Sequence, residues 1–145
     1  MKVILLLTFI FAFAGMQTKS AKEQNQMEYL ERRSAEYIIG KKVYSYEFTD
    51  DDLSRTPFWD ISKKEPPPIS MNQALDGTRS YLQKHFPNAD QWIVDSIRLD
   101  LVGKRKWIYE IQYFCPENVC DESTHFSVIM KMDGKIIEHT ITDKE

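Results

Sequence analysis

The stretch Ser70-Met71-Asn72-Gln73-Ala74-Leu75-Asp76-Gly77-Thr78-Arg79-Ser80-Tyr81-Leu82-Gln83-Lys84-His85-Phe86 decides the fold class. Ser70 is a helix N-cap, and Gln73 three residues on completes a capping box, with Ile69 placed to contact the first turn. Ala74, Leu75, Thr78, Tyr81, Leu82, His85 and Phe86 recur every three or four positions, so the spacing predicts a helix with one apolar stripe, ended by Pro87-Asn88. A helix with one stripe needs a surface to cover. Gly77 lies inside it at about 1 kcal/mol less favourable than Ala, which points to a sheet passing close by.

Downstream the period changes from helical to alternating. Ile93, Ile97, Leu99 and Leu101 predict one strand, and Trp107, Tyr109, Ile111 and Tyr113 a second, joined by Gly103-Lys104-Arg105. Phe126, Val128, Met130 and Met132 share one face of a third. Asp133-Gly134 is a two-residue hairpin signal; pairing Met132 with Lys135 sets Met130 opposite Ile137, Val128 opposite His139 and Phe126 opposite Ile141. A Cys115–Cys120 pair across the preceding hairpin end sets Ile111 opposite Thr124, Tyr109 opposite Phe126 and Trp107 opposite Val128. The expectation is an α+β domain over residues 70–145, one main helix packed on a four-stranded antiparallel sheet.

Upstream, residues 22–69 form an extension of helix, strand and proline-rich connection. Met27, Leu30, Ser34, Tyr37 and Ile38 stand at helical spacing between Lys22 and Ile39, with Gly40 as the stop. Val43 to Phe48 alternates, placing Tyr44, Tyr46 and Phe48 on one face. Pro57, Pro66, Pro67 and Pro68 make Leu53–Ile69 an irregular connection. Within it Phe58, Trp59 and Ile61 are expected to fold back, since leaving a large apolar side chain in water forfeits roughly 1.5 to 3 kcal/mol. Met1–Ala14 reads as an export signal: Lys2, then an apolar run broken only by Thr8, then Ala12-Phe13-Ala14 as a small-x-small cleavage pattern, with a second possible cut after Ser20. The twelve residues Val3–Ala14 span about 18 Å as a helix, against a hydrocarbon core of roughly 30 Å.

The helix opening Ser70–Leu75, the strand segment Lys106-Trp107-Ile108-Tyr109-Glu110-Ile111 and the hairpin Met132-Asp133-Gly134-Lys135-Ile136-Ile137 together resemble the PepSY-like and cystatin-like group of small exported domains. Trp59 followed by Pro66-Pro67-Pro68-Ile69-Ser70 is similar to a set of exported bacterial proteins with a Trp and a proline run before this helix. The resemblance implies an extracytoplasmic binding or inhibitory module, because such domains accompany propeptides of thermolysin-type metalloproteases and are suspected of restraining peptidases. It supplies no catalytic residues.

Cleavage after Ala14 removes Lys2 and takes the net charge from −3 to −4. An acidic chain without a dense Lys/Arg block lacks the footprint of a nucleic-acid binder. No later stretch is long and apolar enough to cross a membrane, so no transmembrane segment is expected once the leader is gone. Export favours a disulfide between Cys115 and Cys120, and Cys-x4-Cys is not the spacing of a thioredoxin-like site. Zinc on Cys115, Cys120 and His125 would need both thiolates and a fourth ligand, so no metal and no cofactor is expected. His85 and His139 read as half-buried side chains of the helix stripe and the sheet face. No Gly-x-Ser-x-Gly elbow or spaced EF-hand acids occur.

The function expected is that of an exported (secreted or periplasmic), non-catalytic binding module for an extracytoplasmic protein or peptide, including a peptidase. It would use an open sheet edge, the loop of Pro116, Glu117 and Asn118, or an apolar patch of Ile108, Ile129 and Trp92, with Trp59 as a further candidate. The alternative is a structural or assembly protein of the cell envelope that self-associates through the sheet face.

Overall fold

A computed structural model describes residues 32–103, 105–120 and 122–144. The leader and the part of the expected N-terminal helix before Arg32 lie outside the described residues. Among the described residues the protein is α+β, with one α-helix and two separate three-stranded antiparallel sheets. This replaces the expected single four-stranded sheet.

The first correction is at the start. Arg32–Ile39 is a strand, β1, and not the end of a helix; it pairs along its full length with β2, Lys42–Thr49. The competing pattern is the alternation of Ala35, Tyr37 and Ile39, whose side chains turn inward while Ser34, Glu36 and Ile38 turn outward. Gly40 does not stop a helix. It takes φ +60° as the first of two residues between Ile39 and Lys42, the position that a type II′ hairpin turn gives to glycine.

Helix α1, Met71–His85, carries the expected cap in full: Ser70 Oγ accepts from the Gln73 amide at 3.3 Å, and Gln73 Oε1 accepts from the Ser70 amide at 2.9 Å. Ala74, Thr78, Tyr81 and Leu82 are its buried residues. Gly77 answers a close approach, as expected: a β-carbon there would overlap the terminal methyl of Met130. Arg79 ties the helix to the segment ahead of β3, donating to the carbonyls of Ala89 (2.9 Å) and Trp92 (2.8 Å) with its guanidinium over the Tyr113 ring.

The helix covers the sheet β3–β4–β5, formed by Ile93–Val102, Lys106–Cys115 and Thr124–Lys131. Asp95 is bulged out between Val94 and Ser96, so Val94, not Ile93, shares the face of Ile97 and Leu99, and Ile93 is 56% exposed. The β4–β5 register is offset by four residues from the expected one: Cys115 faces Thr124, Tyr113 faces Phe126 and Ile111 faces Val128. The cysteines do not face each other across the ladder, because Cys120 lies in the loop after β4. An even offset keeps every side chain on its expected face.

The last hairpin differs by an odd step. Lys131 closes on Lys135 around Met132-Asp133-Gly134, with Gly134 at φ +82°, and Met130 bridges Ile136. A one-residue slip exchanges faces, so Ile137 joins Ile129 on the side away from the helix. The chain then leaves this sheet. Thr140–Asp143 is β6, pairing with β2 in the order β1-β2-β6, and Ile141 faces Tyr44 instead of Phe126. Strands on both sides of residue 70 thus share one sheet.

Tyr46, Phe48 and Leu53 pack on Val102, Ile108 and Ile129, the sheet face opposite α1. Tyr44 reaches the helix side, where Phe126 meets the rings of Tyr37, Tyr44, Phe86, Trp92 and His139 at centroid distances of 4.5 to 6.4 Å. Arg33 of β1 reaches Asp100 of β3 at 3.0 Å.

Candidate functional site

Three pieces of chain meet beyond the end of α1. The first is the β1–β2 turn, Gly40-Lys41, held beside the C-terminal segment by the Lys144 amide donating to the Lys41 carbonyl at 2.8 Å. The second is the end of the helix, where the Phe86 amide caps on the Leu82 carbonyl and Asn88 succeeds Pro87. The third is the loop after β4. Cys115 and Cys120 form the expected disulfide, the amides of Val119 and Cys120 both donate to the Pro116 carbonyl, and Asn88 Nδ2 donates to the Val119 carbonyl at 2.8 Å.

Between them lies a cleft of about 600 Å³, within the roughly 300 to 1,000 Å³ of ligand sites. Ile39, Tyr44, Phe86 and Val119 give it apolar walls, and Ile38 stands at its side 49% exposed. Lys41 and Lys144 line it from the β1–β2–β6 sheet, and Glu122 from between the disulfide loop and β5.

The residues singled out from sequence are distributed unevenly around this cleft. Glu117 and Asn118 are exposed and Pro116 half-buried in the loop that forms one wall, though the lining itself comes from Val119, Cys120 and Glu122. Trp59 sits at the other end of β4, edge-on to Trp107 and donating to the Glu65 carbonyl at 2.9 Å; ten strand residues separate the two ends by roughly 30 Å. Of its neighbours, Phe58 and Ile61 do not fold back and remain 52% and 59% exposed. Trp92, Ile108 and Ile129 form no surface patch: all three are buried, Trp92 stacked on Phe86 and the isoleucines beneath Tyr46, Phe48 and Leu53. The cover of the isoleucines comes from β2 and from Leu53 in the turn that follows it. Lys41, Asn88, Glu122, Thr124 and Lys144 are not among the binding candidates expected from sequence, since only the β2–β6 pairing and the loop fastening bring them together.

The histidines are separate. His125 lies 3.7 Å from Asp95 on the surface, His85 packs against Tyr81, and both cysteine sulfurs are committed to each other, so the Cys-x4-Cys-x4-His set does not assemble. His139 is buried, and its backbone amide donates to Tyr81 Oη at 3.1 Å. Tyr81 Oη and His139 Nδ1 are hydrogen-bonded at 3.0 Å. Nε2 has no hydrogen-bond partner. Burial, aided by the nearby His85, depresses this imidazole from 6.5 to about 4, and burial likewise raises the Tyr81 phenol. The pair is neutral at physiological pH and unsuited to proton exchange with solvent.

No family model, no curated protein and no solved structure matches the chain. The PepSY-like resemblance therefore rests on its three sequence motifs. No helix among the described residues is long and apolar enough to cross a membrane.

Proposed function

We propose that the protein works outside the cytoplasm as a non-catalytic binding module whose recognition site is the cleft beyond α1. The observation that carries this reading is the fastening of the Pro116–Cys120 wall by a disulfide and by Asn88, because a wall held in place before a ligand arrives lowers the ordering loss on binding. The disulfide and the leader-like Met1–Ala14 support an oxidising, extracytoplasmic setting. Titrating the oxidised protein with a pool of short peptides and following amide shifts tests the assignment. Shifts gathered at residues 38–41, 86–88, 119–124 and 144 are expected, with affinity about tenfold lower when Cys115 and Cys120 are both Ser. Shifts confined to other surfaces would remove the cleft as the site.

Restraint of a peptidase is a second reading, favoured by Glu117 and Asn118 standing exposed at the tip of the same stapled loop. Slowing of a thermolysin-type peptidase by the oxidised protein, relieved by Glu117→Ala with Asn118→Ala, is its test. Self-association through the sheet face has no such feature in its favour, since β2 covers that face.

A further inference from the structure

The charges around the cleft are divided by wall. Lys41 and Lys144 stand together, joined by the backbone bond between them, where the β1–β2–β6 sheet ends; Glu122 stands between the disulfide loop and β5, and the C-terminal end of α1, with its partial negative charge, leads into the same space at Phe86. Among the described residues none of these three side chains is in an ion pair, and the gap between the walls is lined by Ile39, Tyr44, Phe86 and Val119 together with the polar Asn88, Ser123 and Thr124. A cleft with cations on one wall, an anion on the other and a mixed polar and apolar floor between them matches a ligand charged oppositely at its two ends, with backbone groups for the polar residues to meet.

Resting on the binding-module reading, we infer that the cleft takes a short zwitterionic peptide, with its terminal carboxylate at Lys41 and Lys144, its terminal ammonium at Glu122, and an apolar side chain against Tyr44 and Phe86. The volume of about 600 Å³ suits a few residues and not a folded partner. Capture of peptide termini is an established mode of recognition, and two fixed charges of opposite sign set both the length and the direction of the bound chain. A peptide segment in the interior of a longer chain has neither charge, so free ends are what the site selects.

The tripeptide Ala-Leu-Ala, titrated calorimetrically into the oxidised full chain, is the probe, alongside its C-terminally amidated and N-acetylated forms. The free peptide is expected to bind, the amidated form about tenfold more weakly, and the acetylated form several-fold more weakly. Lys41→Ala combined with Lys144→Ala should remove the penalty of amidation, and Glu122→Gln that of acetylation; all three side chains are exposed, and unchanged thermal melting would verify that the variants fold. Equal binding of all three peptides would overturn the charge assignment while leaving the cleft a binding site. Absence of heat from every form would overturn the inference altogether, and the recognition site would then be judged by the shift mapping alone.

Discussion

The two faces of the β3–β4–β5 sheet are covered by very different means. One is covered by α1, a run of 15 consecutive residues with its own caps and stripe. The other is covered by the β1–β2 hairpin and Leu53 just after it, while β6, exposed along its length, extends the hairpin's sheet without adding to that buried face. Each cover is local in itself, but α1 reaches the sheet across the short segment before β3, whereas the hairpin docks from the far side of α1 and closes a longer loop before its contacts repay the entropy. The helix side also holds the larger buried cluster, so the two faces differ both in burial and in ease of formation.

The sharpest challenge is Phe126→Ala, because its ring contacts residues of both covers. About 4 kcal/mol of destabilisation is expected in urea unfolding, within the usual range for an aromatic deletion in a core. Next come Leu82→Ala under the helix and Ile108→Ala under the hairpin, each fully buried and each expected to lose about 3 kcal/mol. A loss below about 1 kcal/mol for Ile108 alone would demote the hairpin from core to appendage.

His139 provides a comparison by pH, since it lies in the crossover from β5 to β6 and faces Tyr37 of β1, Tyr46 of β2, Tyr81 and His85 of α1 and its neighbour Glu138. Its folded value is depressed to about 4 from 6.5, so the unfolded chain takes up the proton first. Stability from this group is complete above pH 6.5 and declines as pH falls toward 4, by about 3 kcal/mol at most. His139→Gln should flatten urea midpoints across that window relative to wild type; parallel pH curves would refute the assignment. The smallest effect is Ser70→Ala, about 1 kcal/mol from the loss of the cap, detectable as a lower urea midpoint.

The same contrast governs how much could be read in advance. The α1 cap, the stripe and the Gly77 notch are local, and Met130 fills that notch. Face assignments in β4 and β5 were legible too, because alternation survives an even register error. What could not be read was which distant edges would meet. The Met27–Ile38 spacing competed with the alternation of Ala35, Tyr37 and Ile39, and only pairing with β2 decides between them. Asp133-Gly134 identified a turn but not its length, and one extra turn residue moved Ile137 across the sheet. The candidate site divides in the same way: the stapled loop was visible in the cysteine spacing, while the two lysines opposite Glu122 depend on β6 finding β2.

The notch at Gly77 also makes Met130 a natural clock. The residue is 3% exposed while the helix is seated, so peroxide reaches the sulfur chiefly when α1 lifts away, and a sulfoxide oxygen would then obstruct its return. The pace at which that one methionine gains roughly 16 mass units in dilute peroxide, the mass of an oxygen atom, would time the spontaneous lifting of the helix without any label or denaturant.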